Sequence, residues 1–219
     1  MKKVIILGTS GHSKVVTDIF RASDEYEIVG YLSSDQSSDQ FENLPILGTE
    51  ESFFASNSLG EDLYFFIAVG DNFLRQQISL KLRSLNTQIK FASAIHPSAV
   101  ISPSAKIDAG TCIMANTVIN ANSNIGSHCI LNTAASLDHD CVMGDFSSLA
   151  PGVHTGGNVT IGTCSAISIG SIVVHKITIG EHTVIGAGST VTKNIEQFVV
   201  AFGTPCKKVR NRVKGEKYL

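Results

Sequence analysis

A hydrophobic period of six, unbroken from Ile95 to Glu196, is the feature that most constrains the fold of this chain. Every sixth residue from Ile95 to Val191 is aliphatic or Met in 16 of 17 cases, and Thr155 is the exception. Four residues after each of these positions, Ala, Ser, Thr or Cys occurs in 13 of the 17 cases. A repeat of fixed length buries its apolar face only against neighbouring repeats, so it outranks local propensity as a guide to the fold.

This period predicts a parallel β-helix. Positions i, i+2 and i+4 of a strand share a face, but here i is large, i+4 is small and i+2 is often a corner residue such as Pro97 or Gly157. The pattern resembles the left-handed parallel β-helix of hexapeptide repeats, in which three hexads form one triangular coil. The hand is implied by the resemblance alone, because crossovers are usually right-handed. Seventeen hexads predict between five and six coils over residues 95–196.

Residues 1–94 carry a different, α/β pattern. A buried strand, Val4 to Leu7, precedes the turn Gly8–Ser13 and a helix with helically spaced apolar residues. Further strands are predicted at 28–32, 63–69 and 89–92, a loop at 33–43, and helices after Thr49 and along the stripe of Leu74, Ile78, Leu82 and Leu85.

The first strand, turn and helix predict a Rossmann-like domain. The helix N-terminus would offer free N–H groups to a phosphate or sugar. The turn reads G-x-S-G-H rather than G-x-G-x-x-G, which disfavours a plain NAD site. Loops 8–13, 33–36 and 70–72 follow successive strands, so we expect them at the ligand-binding edge of the sheet.

Composition and charge narrow the function classes. No apolar run approaches the roughly 18 residues of a membrane span, and the five cysteines have neither metal nor disulfide spacing. Cys129 and Cys141 fall at small hexad sites, which predicts reduced core thiols in a cytoplasmic protein.

The tail, residues 197–219, carries six basic and one acidic side chain. It is either solvated or meets an anionic ligand, and nucleic acid is disfavoured because the rest of the chain is acidic.

Several motifs point to one family. They are Gly8-Thr9-Ser10-Gly11-His12, the stretch Phe66–Asn72, and Leu137-Asp138-His139-Asp140-Cys141-Val142-Met143-Gly144. These residues resemble the NeuD/PglD-type sugar acetyltransferases. That family includes sialic-acid O-acetyltransferases and N-acetyltransferases of nucleotide-linked 4-amino-4,6-dideoxy sugars. The resemblance implies a homotrimer with acetyl-CoA between neighbouring β-helices, a sugar nucleotide on the N-terminal domain, and no metal.

The resemblance also implies residue roles. His139 would be the general base of a direct transfer, and Asp140 would orient its imidazole, as a triad carboxylate does. A backbone N–H, with Gly157 at the family position, would meet the oxyanion. Acetyl-CoA contacts are implied for Ser148, which replaces a family His, and for Gly157, Ile169 and Ala187. Sugar-nucleotide contacts are implied for Ser10, Gly11, His12 and Gly70, with Ser33 and Ser34 in place of an acidic pair.

The hexad phase sorts the other histidines. His139 and His175 fall in one corner column with Gly157 between them. We interpret His175 as an exposed corner residue and leave a role in the site open. His128 and His182 are expected at the surface. Adjacent strand residues point apart, so the pairing of His139 with Asp140 requires the corner to bend.

The sequence therefore predicts an acetyl-CoA-dependent N-acetyltransferase that acts on the 4-amino group of a nucleotide-linked sugar. O-acetylation of sialic acid by the same base is the alternative within the family. A non-catalytic hexapeptide-repeat binding or scaffold protein is the alternative from another class.

Overall fold

The computed structural model describes residues 1–35, 37–56 and 62–218. Gln36, the last residue of the expected 33–36 loop, lies outside the described residues. The N-terminal elements are β1 (Lys2–Leu7), α1 (Gly11–Arg21), β2 (Tyr26–Leu32), β3 (Gln40–Phe41), β4 (Leu44–Pro45), α2 (Glu50–Ser56), β5 (Leu63–Ile67) and α3 (Asn72–Leu85).

The N-terminal unit is built on a parallel sheet of order β2-β1-β5. Val4 to Leu7 of β1 are buried, as the apolar run predicts. The expected 33–43 loop contains β3, which pairs with β4 in a short antiparallel hairpin. The strand predicted at 89–92 is reduced to a single parallel bridge between Phe91 and Phe65. The unit is thus α/β, while its description as Rossmann-like stays a prediction.

The apolar stripe predicted for α3 is wrong in part. Leu74 and Leu85 are 50% and 40% exposed. The buried residues of this helix are Asn72, Arg75, Ser79 and Leu82. The helix packs against the second half of the molecule, where Asn72 and Arg75 donate to backbone carbonyls and the Ser79 hydroxyl pairs with the His128 ring. Burial therefore does not follow hydrophobicity here.

Residues 94–191 form a parallel β-helix of two-residue strands. They are β6 (Ala94–Ile95), β7 (Val100–Ile101), β8 (Lys106–Ile107), β9 (Cys112–Ile113), β10 (Val118–Ile119), β11 (Asn124–Ile125), β12 (Ile130–Leu131), β13 (Ser136–Leu137), β14 (Val142–Met143), β15 (Ser148–Leu149), β16 (His154–Thr155), β17 (Thr160–Ile161), β18 (Ala166–Ile167), β19 (Ile172–Val173), β20 (Thr178–Ile179), β21 (Val184–Ile185) and β22 (Thr190–Val191).

Each strand pairs in parallel with the third strand along the chain. Leu131, for example, lies between Ile113 and Leu149. The shift of 18 residues confirms three hexads per coil. The sheets give three faces: the first contains β6, β9, β12, β15, β18 and β21, the second runs from β7 to β22, and the third from β8 to β20. We name the corners by the faces they join: 1–2, 2–3 and 3–1. The hand of the coil stays a prediction.

The interior of the prism follows the hexad rule. The large hexad residues are buried from Ile113 onward, whereas Ile95 at the open end is 37% exposed. Hydroxyls of the small hexad residues donate to backbone carbonyls. Ser123 Oγ donates to Asp138 O at 2.6 Å, and Ser165 Oγ donates to Gly180 O at 2.6 Å. Cys129 and Cys141 are buried in this core, as predicted. A narrow interior can therefore hold hydroxyls because the next coil supplies carbonyl acceptors.

The chain after residue 196 is more ordered than a solvated tail. β23 (Val199–Gly203) pairs in parallel with β21 and extends the first face. β24 (Cys206–Asn211) turns back along it as an antiparallel partner. Residues 212–218 then return to α3, where the Asn72 N–H donates to the Tyr218 hydroxyl at 3.1 Å. No helix in the described ranges is long and apolar enough to cross a membrane.

The expectation that His128 and His182 lie at the surface is wrong. Both sit outside the prism on corner 3–1, but they are only 1% and 6% exposed. His128 stacks on Phe146 with ring centroids 5.0 Å apart, and His182 stacks on Phe198 at 5.1 Å. The N-terminal unit and the C-terminal segment cover this corner, and a repeat pattern carries no signal of such a cover.

Candidate functional site

The His139–Asp140 pair stands on corner 2–3. Asp140 has φ of 56°, in the left-handed region, and its N–H donates to Ala121 O at 2.9 Å. That conformation bends the corner and turns the carboxylate back, so that His139 Nδ1 and Asp140 Oδ2 are 2.7 Å apart. The bend that the pairing requires is therefore supplied by the backbone, and Asp tolerates this region better than most residues.

Two asparagines of the preceding coil hold the carboxylates around the imidazole. Asn122 Nδ2 donates to Asp140 Oδ1 at 3.3 Å, and Asn120 Nδ2 donates to Asp138 Oδ1 at 2.9 Å. Asp138 also accepts the His139 N–H at 2.8 Å. With Nδ1 bonded to Asp140, Nε2 is the nitrogen of His139 left to act on a substrate, and the side chain is 50% exposed.

This arrangement makes the imidazole a stronger base. The hydrogen bond to Asp140 raises the pKa of His139, and the nearby Asp138 carboxylate adds to the effect. The same bond, with help from Asn122, lowers the pKa of Asp140. A carboxylate that stays ionised next to a neutral histidine fixes its tautomer and stabilises the imidazolium that proton abstraction would form.

Gly157 lies directly beneath the His139 ring. A Cβ built on Gly157 would be 2.5 Å from both Cε1 and Nε2 of His139, so only glycine allows this approach. The Gly157 N–H donates to His175 Nδ1 at 3.0 Å. That N–H, expected to meet an oxyanion, is therefore engaged by a side chain, and it would have to leave that bond before it could bind another acceptor.

A cavity of about 390 Å³ lies between the N-terminal unit and the first face. It brings together candidate residues of both substrates, His12 and Gly70 on one side and Ser148 and Ile169 on the other. The wall is completed by Ile130, Asn132, Leu149, Ala150, Ala166, Ile167, Ser168 and Tyr218. Small-molecule sites typically occupy about 300–1,000 Å³, so this cavity has the size of a binding site.

His12 contributes to the wall of this cavity a ring nitrogen without a hydrogen-bond partner in the described part of the chain. Its Nε2 is buried and has no hydrogen-bond partner among the residues that the structure describes. Burial, together with the Arg75 guanidinium, lowers the pKa of His12 to about 4. The imidazole is thus neutral at physiological pH, and within the described ranges its Nε2 is left without the partner that a buried polar atom normally has.

A second cavity of about 440 Å³ opens at the carboxyl ends of β1 and β2. It is lined by Ser10, Ser33 and Ser34, together with Asp35, Glu50 and Lys81. Ser33 is buried, pairs with Thr9 through their hydroxyls at 3.1 Å, and accepts the Asp35 N–H at 3.1 Å. Gly11, the first residue of α1, is exposed beside these residues. The predicted ligand edge is therefore open, but its residues are divided between two cavities.

The structure does not join all candidates within one chain. Ser148 and Ile169 lie on the first face and corner 1–2, and Ala187 follows Ile169 one coil further along the same corner. His139, Asp140 and Gly157 lie on corner 2–3. The second face separates these corners, so the proposed base and the 390 Å³ cavity belong to different sides of the prism.

Sequence reasoning missed Asn72 and Tyr218. Asn72 Nδ2 donates to Ser148 Oγ at 3.0 Å and to Ser165 O at 3.1 Å, and its N–H reaches the Tyr218 hydroxyl. These bonds join the start of α3, the first face and the C-terminal segment at the cavity wall. The only local signal was the Gly70-Asp71-Asn72 turn after a strand.

Arg75 was missed as well, and it holds the two halves together. The residue is 1% exposed. Its guanidinium donates to His128 O at 2.8 Å and to Phe146 O at 3.1 Å on corner 3–1. The same group donates to Val69 O, Gly70 O and Asn72 Oδ1. Arg75 therefore fixes the 69–72 loop, one edge of the cavity, against the β-helix.

No cluster of three or more His, Cys, Asp or Glu side chains within residues 1–35, 37–56 and 62–218 is placed to hold a metal ion.

Solved structures of known proteins match this architecture over nearly the whole chain. A histidine-to-asparagine mutant of perosamine N-acetyltransferase from Caulobacter crescentus, in complex with CoA and GDP-perosamine, is 34% identical, with a TM-score of 0.88. The match covers 96% of this chain and 98% of that one. The acetyltransferase domain of PglB from Neisseria gonorrhoeae FA1090, in complex with acetyl coenzyme A, is also 34% identical with a TM-score of 0.88, and the match covers 95% and 99% of the two chains.

Sequence comparisons agree over shorter lengths. The family described as "PglD N-terminal domain" matches residues 3–82. UDP-N-acetylbacillosamine N-acetyltransferase of Bacillus subtilis (strain 168) is 34% identical over 102 residues, which is 47% of this chain and 46% of that protein. The chain spans 36% of the length of the first curated relatives that it matches. With the full-length structural matches, these relationships confirm the predicted resemblance: the chain belongs to the NeuD/PglD-like family of sugar acetyltransferases.

Proposed function

We propose that this protein is an acetyl-CoA-dependent N-acetyltransferase that acts on the 4-amino group of a nucleotide-linked 4-amino-4,6-dideoxy sugar. The observation that carries the proposal is the 2.7 Å bond between His139 Nδ1 and Asp140 Oδ2 on an exposed corner. The family relationship supplies the reaction class, and the unpaired His12 in the cavity wall supports a ligand between the two halves.

In the proposed reaction, His139 Nε2 removes a proton from the acceptor amine as its nitrogen attacks the thioester carbon. The new C–N bond forms, the C–S bond breaks, and CoA leaves with the electron pair as a thiolate. The proton on the imidazolium then passes to that thiolate. Asp140 holds the ring in the tautomer with Nε2 free and stabilises the imidazolium. A thiolate is a good leaving group, so a direct transfer needs no covalent enzyme intermediate.

The division of candidates between corners supports a site made by two copies of the chain. Ser148, Ile169 and Ala187 on one copy would face acetyl-CoA, and the His139, Asp140 and Gly157 of a neighbouring copy would approach it. A homotrimer of triangular prisms can repeat that contact three times. Residues 1–94 would form a Rossmann-like domain that holds the sugar nucleotide through Ser10, Gly11, His12, Ser33, Ser34 and Gly70. Residues 95–196 would carry the chemistry, and 197–219 would close the fold.

The direct test is thiol release from acetyl-CoA with a panel of acceptors. The panel contains UDP-, dTDP- and GDP-linked 4-amino sugars, together with CMP-linked and free sialic acid. We expect release with one 4-amino sugar, and a loss of several orders of magnitude in His139→Ala with the thermal midpoint unchanged. His154→Ala, which removes another exposed histidine, is the matched control. Turnover on sialic acid alone would favour O-acetylation, and no turnover on any acceptor would favour a binding protein.

A mixing experiment tests the shared site. Ile169→Trp should block the cavity, because Ile169 lines it and is 56% exposed, so the larger ring can enter without disturbing the core. Ile169→Trp and His139→Ala are each expected to be inactive alone. Co-expressed as mixed oligomers, they should regain part of the activity, because one copy contributes an intact cavity and another an intact base. Absence of any recovery in verified mixed oligomers would place the whole site in one chain.

A further inference from the structure

His175 stands in the same column of corner 2–3 as the proposed base. Its Nδ1 accepts the Gly157 N–H at 3.0 Å. Gly157 in turn lies under the His139 ring, where a Cβ would be 2.5 Å from Nε2. The three residues form a stack over successive coils, in which His175 contacts the backbone of Gly157 and Gly157 contacts the imidazole of His139.

The coil between the two histidines is adapted to both of them. A Cβ on Gly156 would lie 2.7 Å from His175 Nδ1, so this glycine makes room for one ring as Gly157 does for the other. At the same two positions, the neighbouring coils carry Asp138–His139 and Val174–His175. Solvent exposure alone would not require a Gly–Gly pair between two imidazoles.

The direction of the hydrogen bond fixes the chemistry of His175. A ring nitrogen that accepts an N–H carries no proton itself, so in this contact Nδ1 is the acceptor and the ring proton is on Nε2. The bond engages a backbone N–H that has no other protein acceptor at this corner in the described structure. The carbonyl of the same peptide accepts the Cys141 thiol at 3.4 Å, so these two bonds together orient the 156–157 peptide beside the His139 ring.

We propose that His175 is a positioning residue for acetyl transfer. Its Nδ1 anchors the Gly157 peptide, and that peptide supports the His139 imidazole so that Nε2 faces the acceptor amine. The inference rests on the proposed function, in which His139 is the base. It assigns His175 no contact with either substrate, so its loss should lower kcat and leave both KM values unchanged.

Two substitutions of His175 distinguish the loss of its hydrogen bond to Gly157 from a change in side-chain volume. In His175→Asn, the side-chain oxygen branches at the same carbon as Nδ1 and can accept the Gly157 N–H. His175→Leu has similar volume and no acceptor. We expect kcat to fall on the order of tenfold in His175→Leu, about the effect of one hydrogen bond, with both KM values within twofold. His175→Asn should keep kcat within threefold, and His154→Leu is the control for loss of an exposed histidine from this β-helix.

Amide hydrogen exchange at Gly157 gives a readout that is independent of turnover. Exchange should accelerate in His175→Leu and stay slow in His175→Asn. Wild-type kcat in His175→Leu despite faster exchange would overturn the positioning role. Equal loss of kcat in both variants would overturn it too, and would make the imidazole itself a substrate contact. If wild type acetylated no acceptor, the proposed function would fail, while equal exchange in all three proteins would separately refute the anchor.

Discussion

Replacing Gly157 by alanine should disable the base without unfolding the β-helix. The added Cβ would be 2.5 Å from Cε1 and Nε2 of His139, whereas ordinary contacts of this kind are 3.4–4 Å. The imidazole must therefore move by about 1 Å, and a misplacement of that size can cost on the order of 10²-fold in rate. Because the ring is half exposed, it can swing outward instead of straining the core.

The expected loss of about 10²-fold in kcat/KM corresponds to about 2.7 kcal/mol of transition-state stabilisation. Gly157 does not have a left-handed backbone, so alanine adds no conformational strain and the thermal midpoint should stay within a few degrees. The assay is thiol release from acetyl-CoA with the acceptor identified in the panel, together with a thermal melt of each protein.

Gly152→Ala is the matched control. Its Cβ would meet no atom within 4 Å, and Ala134 already occupies the equivalent left-handed position one coil earlier with φ of 57°. We expect this variant to keep wild-type kcat/KM. The reasoning is refuted if Gly157→Ala keeps wild-type kcat/KM as well, because His139 Nε2 could not then be the reacting nitrogen in the observed position.

Three further substitutions test the other contacts described above. Asp140→Asn removes the carboxylate that raises the pKa of His139, so the acid limb of the kcat/KM profile should move to lower pH while the plateau rate falls; an unmoved limb would contradict the pairing. Arg75→Met leaves five buried or partly buried acceptors without their donor, and we expect a loss on the order of 3 kcal/mol in the free energy of unfolding, measured by chemical denaturation against the exposed control Arg83→Met. Tyr218→Ala removes one wall of the 390 Å³ cavity and should raise a substrate KM several-fold with little change in kcat, whereas Tyr218→Phe tests the hydroxyl alone.

The β-helix could be predicted because its cause is periodic. A large residue every six positions and a small one four later specify the coil whatever the local propensities are, and the observed 18-residue register agrees. The His139–Asp140 pair could be predicted from its motif, although the left-handed φ of Asp140 that permits it could not. Roles of the individual candidate residues stay predictions.

The contacts that could not be predicted from the sequence join distant segments of the chain. Arg75 meets a corner 53 residues away and Asn72 meets Tyr218 146 residues away, and neither pairing leaves a local pattern. The stripe of Leu74 and Leu85 on α3 was wrong for the same reason: the helix docks on a corner that presents carbonyls, so donors such as Arg75 are buried while Leu74 and Leu85 are exposed. His128 was misjudged because hexad phase tells inside from outside and says nothing about a covering domain.

The turn at Asp140 has to satisfy two independent demands with one side chain. The same position of the coils on either side holds Asn122 and Asn158, which suit a left-handed turn but carry no charge. Glutamate would keep the charge at some conformational cost, and asparagine would keep the turn and lose the charge. Substitution of Asp140 is therefore restricted by the turn as well as by the charge. A variant with a different carboxylate at this position would need a redesigned corner to present it.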